Sequence, residues 1–312
     1  MTGVQTCALP ICLVVEMEEA RILSEYAKET GWRPKRTIVF AAWGSEEQGL
    51  IGSVEWVEEH ALELREKADA YINTDRNGAG FLGSGGSHTL ETFFDEIAHS
   101  VTDPIQGMTA AERVRSRNLM SSNSLTRSRA EKSSHYYLSA LGSGSDYSGF
   151  FQHLGITSMN IGYGGEYGGG SYHTNYDSYH YYTKFRDPGL HYTKALGSVT
   201  GRVATRLANA DVLPFQFGNM ARTVSEYADE MVSAMEKTRK DVERHNMLIN
   251  DGHYKAAANI REVYVTPELR EEVPYINLSP MKNSVDRLLA SGKAFDDAYK
   301  AKIGRASCRE RV

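Results

Sequence analysis

The stretch TIVFAAWGSEEQGL occupies residues 37–50 and joins an uncharged, mostly apolar run to two adjacent glutamates. Residues 37–43 have the composition of a strand that is buried in a parallel sheet. Helical periodicity follows in residues 49–67. The stretch therefore predicts a buried strand, a turn that carries Glu46 and Glu47, and a helix. In an α/β sheet that turn lies at the carboxyl ends of the strands, where ligands bind.

Helix and strand patterns alternate on either side of this stretch. Such patterns occur in residues 13–30 (helix), 70–74 (strand), 89–101 (helix), 158–161 (strand) and 188–210 (helix). Helices placed between parallel strands predict an α/β fold with a mostly parallel central sheet flanked by helices.

The pattern changes near residue 213, beyond which no convincing strand is found. Residues 219–240 and 285–300 are amphipathic at helical spacing. We therefore expect a second, all-helical module to begin at residue 213.

Two segments have ordinary structural interpretations. Residues 83–87 read GSGGS, but they lack the lysine and the strand-to-helix spacing of a phosphate-binding loop, so a plain turn is predicted. Residues 113–132 are rich in arginine and serine without interleaved aromatic residues, which favours a solvated surface loop over an RNA-binding arm. A net charge of −5 also argues against a general nucleic-acid binder.

The two ends of the chain have unusual sequences. Residues 1–12 and 303–312 resemble the translated ends of sequencing-library adapters, so we expect the natural sequence to run from residue 13 to residue 302 and to be truncated. All three cysteines (Cys7, Cys12 and Cys308) lie in or beside these tails. A metal site in the remainder would therefore consist of His, Asp and Glu ligands. No apolar run approaches the roughly 20 residues of a membrane-spanning helix.

Further candidate ligands lie at predicted strand ends and loops. Asp75 follows the strand predicted at residues 70–74, so we expect it at the same sheet edge as Glu46 and Glu47. His173 lies in the loop GSYHTNYD behind a glycine-rich segment. Each has an ordinary alternative: glutamates at a helix N-terminus, a turn aspartate and a structural histidine. Their convergence at one edge would favour a metal centre.

Five segments in this order resemble the glutamate carboxypeptidase / transferrin receptor group of two-zinc, aminopeptidase-like metallopeptidases. They are TIVFAAWGSEEQGLIGSVEWVEEH, AYINTD, LGSGSDYSGFFQHLGI, SYHTNYDSY and LANADVLPF. The resemblance implies a zinc peptidase domain at residues 13–212 and a helical dimerisation-like domain at residues 213–302. It also implies small peptide substrates and a homodimer.

The resemblance implies a role for each matching residue. Glu46 matches the general acid/base, and Glu47 and His173 match ligands of one zinc ion. Asp75 matches a ligand of the second zinc ion. Tyr172 matches a tyrosine that contacts the substrate.

Other matches concern the substrate pocket and a structural ion. Ser143, Gly144 and Ser145 would help to line the pocket for the free terminus of a peptide, together with Asn160. Glu55 and Glu58 match carboxylates of a calcium site, although two solvated helix residues are an equally good interpretation.

The sequence also departs from the family pattern. The family's other zinc-binding histidine and its bridging aspartate would lie ahead of residue 13, so we expect the chain itself to bind zinc poorly and to be inactive. Acid-selective members have arginines where this chain has Asn160 and Gly162, and asparagine in place of Ser145. Because arginine supplies the bidentate grip on a carboxylate, strict preference for acidic C-terminal residues is not expected.

Two alternatives remain at this point. The presence of Glu46, Glu47, Asp75 and His173 disfavours a non-enzymatic receptor or scaffold of the same fold. The helical module disfavours a cyclotransferase or amidohydrolase. The terminus attacked and the compartment stay open, although the resemblance implies a secreted, periplasmic or membrane-anchored protein.

Overall fold

A computed structural model describes residues 11–166 and 171–309, with side chains up to residue 302. Residues 1–10 and 310–312 of the predicted tails, and Gly170 of the glycine-rich loop, lie outside the described residues. The chain divides into two compact units, Met1–Gln216 (unit 1) and Phe217–Val312 (unit 2). The unit boundary falls a few residues after the predicted one at residue 213.

Unit 1 combines one small sheet with helices. Its strands are β1 (Tyr71–Asn73), β2 (Gly80–Gly86) and β3 (Ser158–Gly165). Its helices are α1 (Ile11–Thr30), α2 (Ile51–Glu59), α3 (Ala61–Lys67), α4 (Glu91–Ser100), α5 (Ala110–Leu119), α6 (Ser124–Lys132), α7 (Tyr179–Tyr181) and α8 (His191–Asn209). Single helical turns occupy His88–Leu90, Gly149–His153, Tyr182–Arg186 and Pro188–Leu190.

The sheet has the strand order β1-β3-β2, which confirms a mixed α/β architecture but corrects the expectation of a mostly parallel sheet. β1 pairs with β3 in parallel over three residues, whereas β2 pairs with β3 in antiparallel fashion over seven, from Gly80↔Gly165 to Gly86↔Met159. The antiparallel pair is longer because the glycine-rich segments 80–86 and 162–165 lie side by side.

The predicted turn at residues 83–87 is therefore wrong, since most of that segment belongs to β2. Close backbone approach explains why glycine can form this strand. A Cβ atom on Gly80 would lie 2.1 Å from the carbonyl oxygen of Gly164, and Gly80 also has a φ of +142°. Glycine in strands often marks such an approach of two backbones.

The predicted strand at residues 37–43 is also wrong, because this segment is extended but unpaired in the described part of the chain. Val39 is 72% exposed. Arg36 binds Asp69 (Nε to Oδ2, 3.0 Å) at the start of the segment, and the indole of Trp43 is hydrogen-bonded at its end. A cavity of about 960 Å³ separates the segment from β1, so no ladder forms between them.

The predicted surface loop at residues 113–132 is helical instead. Thr109 and Glu112 form a reciprocal capping box at the start of α5, and the side chain of Asn123 caps α6 by accepting a hydrogen bond from the backbone of Thr126. Such caps satisfy backbone N–H groups at a helix start and stabilise it by roughly 1 kcal/mol. Capping therefore overrides the low apolar content of this segment.

The main core of unit 1 lies between the sheet and the helices α1, α4 and α8. Phe94, Met159, Leu196 and Val199 are fully buried there, and Cys12 of α1 reaches the same core. Within the described residues, no helix has the length and apolar character needed to cross a bilayer.

Unit 2 is helical throughout its described regular structure, with α9 (Phe217–Asn250), α10 (His253–Ala256) and α11 (Ser279–Arg309). Asp296 of α11 accepts hydrogen bonds from the backbone of Phe217 and Gly218 at the start of α9 (2.9 and 3.0 Å). Phe217 packs edge-on against Phe295. Dimerisation through this unit stays a prediction.

We predict that Gly80→Ala destabilises unit 1. The added methyl group meets the Gly164 carbonyl and requires an unfavourable φ, so the free energy of unfolding should fall by about 1–3 kcal/mol. All three tryptophans lie in unit 1, so urea denaturation followed by tryptophan fluorescence reports on this unit.

Gly142→Ala is the matched control, because its added methyl group meets no atom within 4 Å. Its effect should stay below about 1 kcal/mol. Equal effects of the two substitutions would contradict the close approach of β2 and β3.

Candidate active site

A tight turn between the extended segment and α2 carries Glu46 and Glu47. The backbone N–H groups of Gly49 and Leu50 both donate to the carbonyl of Glu46 (3.0 and 2.7 Å). Ser45 and Leu50 have positive φ values of 56° and 62°, a conformation that is uncommon outside glycine. Strained backbone of this kind is concentrated at functional sites.

Aromatic packing supports the turn from behind. Trp43 lies 5.3 Å from Trp56 of α2, measured between ring centroids, and Tyr71 of β1 stacks on Phe150 at 3.9 Å. These rings surround the small core formed around Val57. The turn that carries the two glutamates is thus fixed to β1 and to the segment near Phe150.

Asp75 lies just beyond β1, as the sequence predicts, and two side chains hold its carboxylate. Ser145 Oγ donates to Asp75 Oδ2 at 2.6 Å, and Asn160 Nδ2 donates to the same carboxylate at 3.3 and 3.4 Å. Asn73, only 4% exposed, donates in turn to Ser145 Oγ at 3.0 Å. Tyr71 OH donates to Asn73 Oδ1 at 3.0 Å.

His173 comes from a distant loop and meets the turn directly. Its Nε2 lies 3.1 Å from Glu47 Oε1. Tyr172 stacks on the His173 ring, with centroids 3.7 Å apart. His173 has a positive φ of 57°, a conformation that is uncommon for residues other than glycine, although histidine adopts it more often than most.

The local charges change the acidity of Glu46. Burial, followed by repulsion from Glu47, Asp146 and Asp75, raises the pKa of Glu46 to about 7, and the nearby His173 opposes this rise. A carboxyl group with a pKa near neutrality is suited to both accepting and donating a proton at neutral pH.

The structure thus brings the four predicted residues Glu46, Glu47, Asp75 and His173 into one charged cluster. Within residues 11–166 and 171–309, however, no three His, Cys, Asp or Glu side chains are grouped closely enough to hold a metal ion. Imidazole and carboxylate are the donors that catalytic zinc uses, so Glu47, His173 and Asp75 have suitable side chains, and zinc binding by them stays a prediction.

The remaining predicted residues take different positions. Ser143 and Gly144 are exposed in the loop before the buried Ser145, whereas Ser145 and Asn160 both contact Asp75. Ser145 and Asn160 therefore hold the Asp75 carboxylate in position, in addition to any contact that they make with substrate.

The two candidate calcium ligands lie on α2. Glu55 and Glu58 are both exposed there. They belong to no metal-binding group among the described residues. A calcium site at this place stays a prediction.

Sequence reasoning missed two site residues. Asn73 is the centre of the hydrogen-bond network, and its inward position in the strand AYINTD could have indicated this. Asp146 is 1% exposed and raises the pKa of Glu46, and its place after the glycine-rich loop GSGS was the available signal.

Comparison with known proteins gives one family match. Residues 7–186 match the profile of Peptidase family M28. A probable glutamate carboxypeptidase (LAMP1) of Arabidopsis thaliana is 35% identical over 219 residues, which cover 70% of this chain and 30% of that protein. The aminopeptidase NAALADL1 of Mus musculus is 31% identical over 264 residues, covering 78% and 33%.

Other similarities are of the same kind. A probable glutamate carboxypeptidase of Arthroderma benhamiae is 36% identical over 208 residues, covering 65% of this chain and 26% of that protein. A solved zinc aminopeptidase from Bacillus subtilis gives a TM-score of 0.37 at 23% identity, over 64% of this chain and 42% of that one. The chain spans about a third or less of the length of these curated relatives.

We predict that Glu46 makes the stability of unit 1 depend on pH when zinc is removed by a chelator. The folded pKa of about 7 lies above the ordinary value of 4.5, so this proton favours the folded state at low pH. That contribution is lost as the pH rises from 4.5 to 7. Glu46→Gln should therefore raise the urea midpoint at about pH 8 but not at about pH 4.

Tryptophan fluorescence gives the measurement, and Glu59→Gln on the exposed side of α2 is the matched control. The same gain for both variants, or a gain for Glu46→Gln that does not change with pH, would refute the electrostatic interpretation.

Proposed function

Since the chain belongs to Peptidase family M28, within its glutamate carboxypeptidase-like group of metallopeptidases, we propose that the protein is a zinc-dependent exopeptidase. Its substrates are small peptides, and the terminus attacked is left open because the relatives include proteins named carboxypeptidase and aminopeptidase.

One observation carries the proposal: the contact between His173 and Glu47 beside a second glutamate of raised pKa. The imidazole Nε2 and the carboxylate oxygen are 3.1 Å apart although the residues are far apart in sequence. The left-handed backbone at His173 would be costly without a function for the ring.

The metal-binding roles follow from the donor set. Glu47 and His173 would hold one zinc ion, and Asp75 would hold a second. Bound zinc would lower the pKa of water toward neutrality and polarise the peptide carbonyl.

The protein's own groups move the proton. The Glu46 carboxylate would take a proton from the attacking water and deliver it to the nitrogen of the leaving amine. Its pKa of about 7 suits both transfers at neutral pH. Tyr172 stacks on His173 and would contact the substrate.

The cluster offers fewer ligands than two zinc ions need. The 312-residue chain is therefore expected to bind zinc weakly and to be inactive. We propose the activity for a protein in which further ligands complete this set, which is called the complete reading frame below.

The pocket geometry argues against a grip on acidic side chains. A Cβ atom on Gly162 would lie 2.4 Å from the carbonyl oxygen of Arg76, so no arginine fits at this position without a shift of the backbone. Asn160 is engaged with Asp75 and Asn73. Neither position can supply the bidentate contact that arginine makes with a carboxylate.

The function is tested by Glu46→Gln in the complete reading frame, assayed with zinc and short peptides. We expect kcat to fall about 100- to 10,000-fold because the proton carrier is lost. Zinc content, measured by metal analysis, should stay unchanged. His173→Ala should instead lower the zinc content, and the exposed His153→Ala is its matched control.

Two results would overturn the proposal. One is peptidase activity that survives Glu46→Gln. The other is equal loss of zinc from His173→Ala and His153→Ala. Two tightly bound zinc ions with activity in the 312-residue chain itself would contradict the expected need for further ligands.

Specificity gives a second test. Peptides that differ only in a C-terminal glutamate or leucine should have kcat/KM values within about tenfold of each other, since neither Asn160 nor Gly162 supplies a guanidinium grip on the acid. A preference for glutamate of 100-fold or more would contradict this inference.

A further inference from the structure

A second pocket of unit 1, of about 260 Å³, lies between β2 and the helices α5 and α6. None of the candidate active-site residues lines it. Its volume is below the roughly 300–1,000 Å³ typical of pockets for drug-sized ligands, so it suits a small ion or group.

The walls of this pocket carry an excess of positive charge. Arg115, Arg117, Arg129 and His135 line it, and no aspartate or glutamate is found among its described lining residues. Hydrogen bonds that the imidazole donates to the carboxylates of Asp95 and Glu91 raise the pKa of His135 to about 9. The imidazole is therefore charged at neutral pH, but these two carboxylates balance its charge, so the positive charge of the pocket comes from the three arginines.

The arginines are held in place. Arg115 donates through Nε to the carbonyls of Ala130 (2.9 Å) and Ser133 (3.2 Å), which fixes its guanidinium at the wall. Arg117 lies over the ring of Phe81, 4.6 Å from its centroid. Arg129 lies over Tyr137 at 5.3 Å. Held guanidinium groups are pre-organised for the oxygens of an oxyanion.

A buried hydroxyl supplies an independent observation. Ser84 is 8% exposed and lines the pocket, and its Oγ has no hydrogen-bond partner among the described residues. A buried hydroxyl without a partner costs about 1–3 kcal/mol, and a ligand that accepted its proton would remove that cost.

We propose that this pocket binds a small oxyanion of the phosphate class, with Arg117 and Arg129 as its charged contacts and Ser84 as a neutral donor. A tetrahedral dianion offers acceptors to several guanidinium groups at once, which chloride cannot do. The ligand is either free inorganic phosphate or a phosphomonoester group. The proposal is independent of the peptidase function.

Thermal unfolding of the full 312-residue chain, followed by tryptophan fluorescence, tests this with inorganic phosphate against chloride at equal ionic strength. Phosphate should raise Tm further than chloride and in a saturable manner, because a ligand of the folded state stabilises it. Arg117→Gln and Arg129→Gln should each weaken the apparent affinity about tenfold. Ser84→Ala should weaken it by a smaller factor.

Arg127→Gln is the matched control, since Arg127 lies in the same basic segment but donates to the carbonyl of Ser121 and does not line the pocket. The affinity of this variant for phosphate should stay within about twofold of that of the unsubstituted chain, because only a nonspecific charge is lost. Two results would overturn the proposal. One is a loss of phosphate affinity in Arg127→Gln equal to that in Arg117→Gln, and the other is an equal effect of phosphate and chloride on the Tm of the unsubstituted chain.

O-phosphoserine as a second probe separates the two sources. Tighter binding of phosphoserine than of phosphate supports a phosphomonoester, and the reverse supports free phosphate. Binding of neither probe overturns the site.

Discussion

A relay of four hydrogen bonds is the constraint on which the site depends. Trp43 donates to Tyr71, Tyr71 to Asn73, Asn73 to Ser145, and Ser145 to Asp75, so all four hydrogen bonds point in the same direction, toward the Asp75 carboxylate. Burial raises the pKa of Tyr71, which keeps its phenol a donor. A buried chain of this kind is stabilising when each member is satisfied and costly when one is removed.

The relay matters because the carboxylates repel one another. Glu46, Glu47, Asp75 and Asp146 are close enough for their charges to affect the acidity of Glu46. Packing of like charges lowers stability, and such local cost is typical of sites arranged for chemistry. The aromatic cluster behind the turn and the relay through β1 offset that cost, each from a different side of the site.

The sequence predicted the positions of Glu46 and Asp75 in the fold better than it predicted the sheet. Glu46 and Asp75 are positioned by local patterns, a turn before a helix and the end of a strand, and these survive in the structure. β2 could not be predicted, because the pairing of the glycines in residues 80–86 with those in 162–165 depends on close backbone contact between distant segments. The network centre Asn73 was missed for the same reason, since all but one of its partners come from other parts of the chain.

The extended segment at residues 37–43 has a consequence for handling this protein. Val39 and Phe40 are exposed on extended backbone that forms no ladder in the described part of the chain. An exposed apolar segment of high β-propensity can pair with other copies of itself, and residues 37–43 contain no proline or charge, although Pro34, Lys35 and Arg36 directly precede them. Concentrated solutions should therefore be prone to cross-β aggregation that starts from this segment and does not involve unit 2.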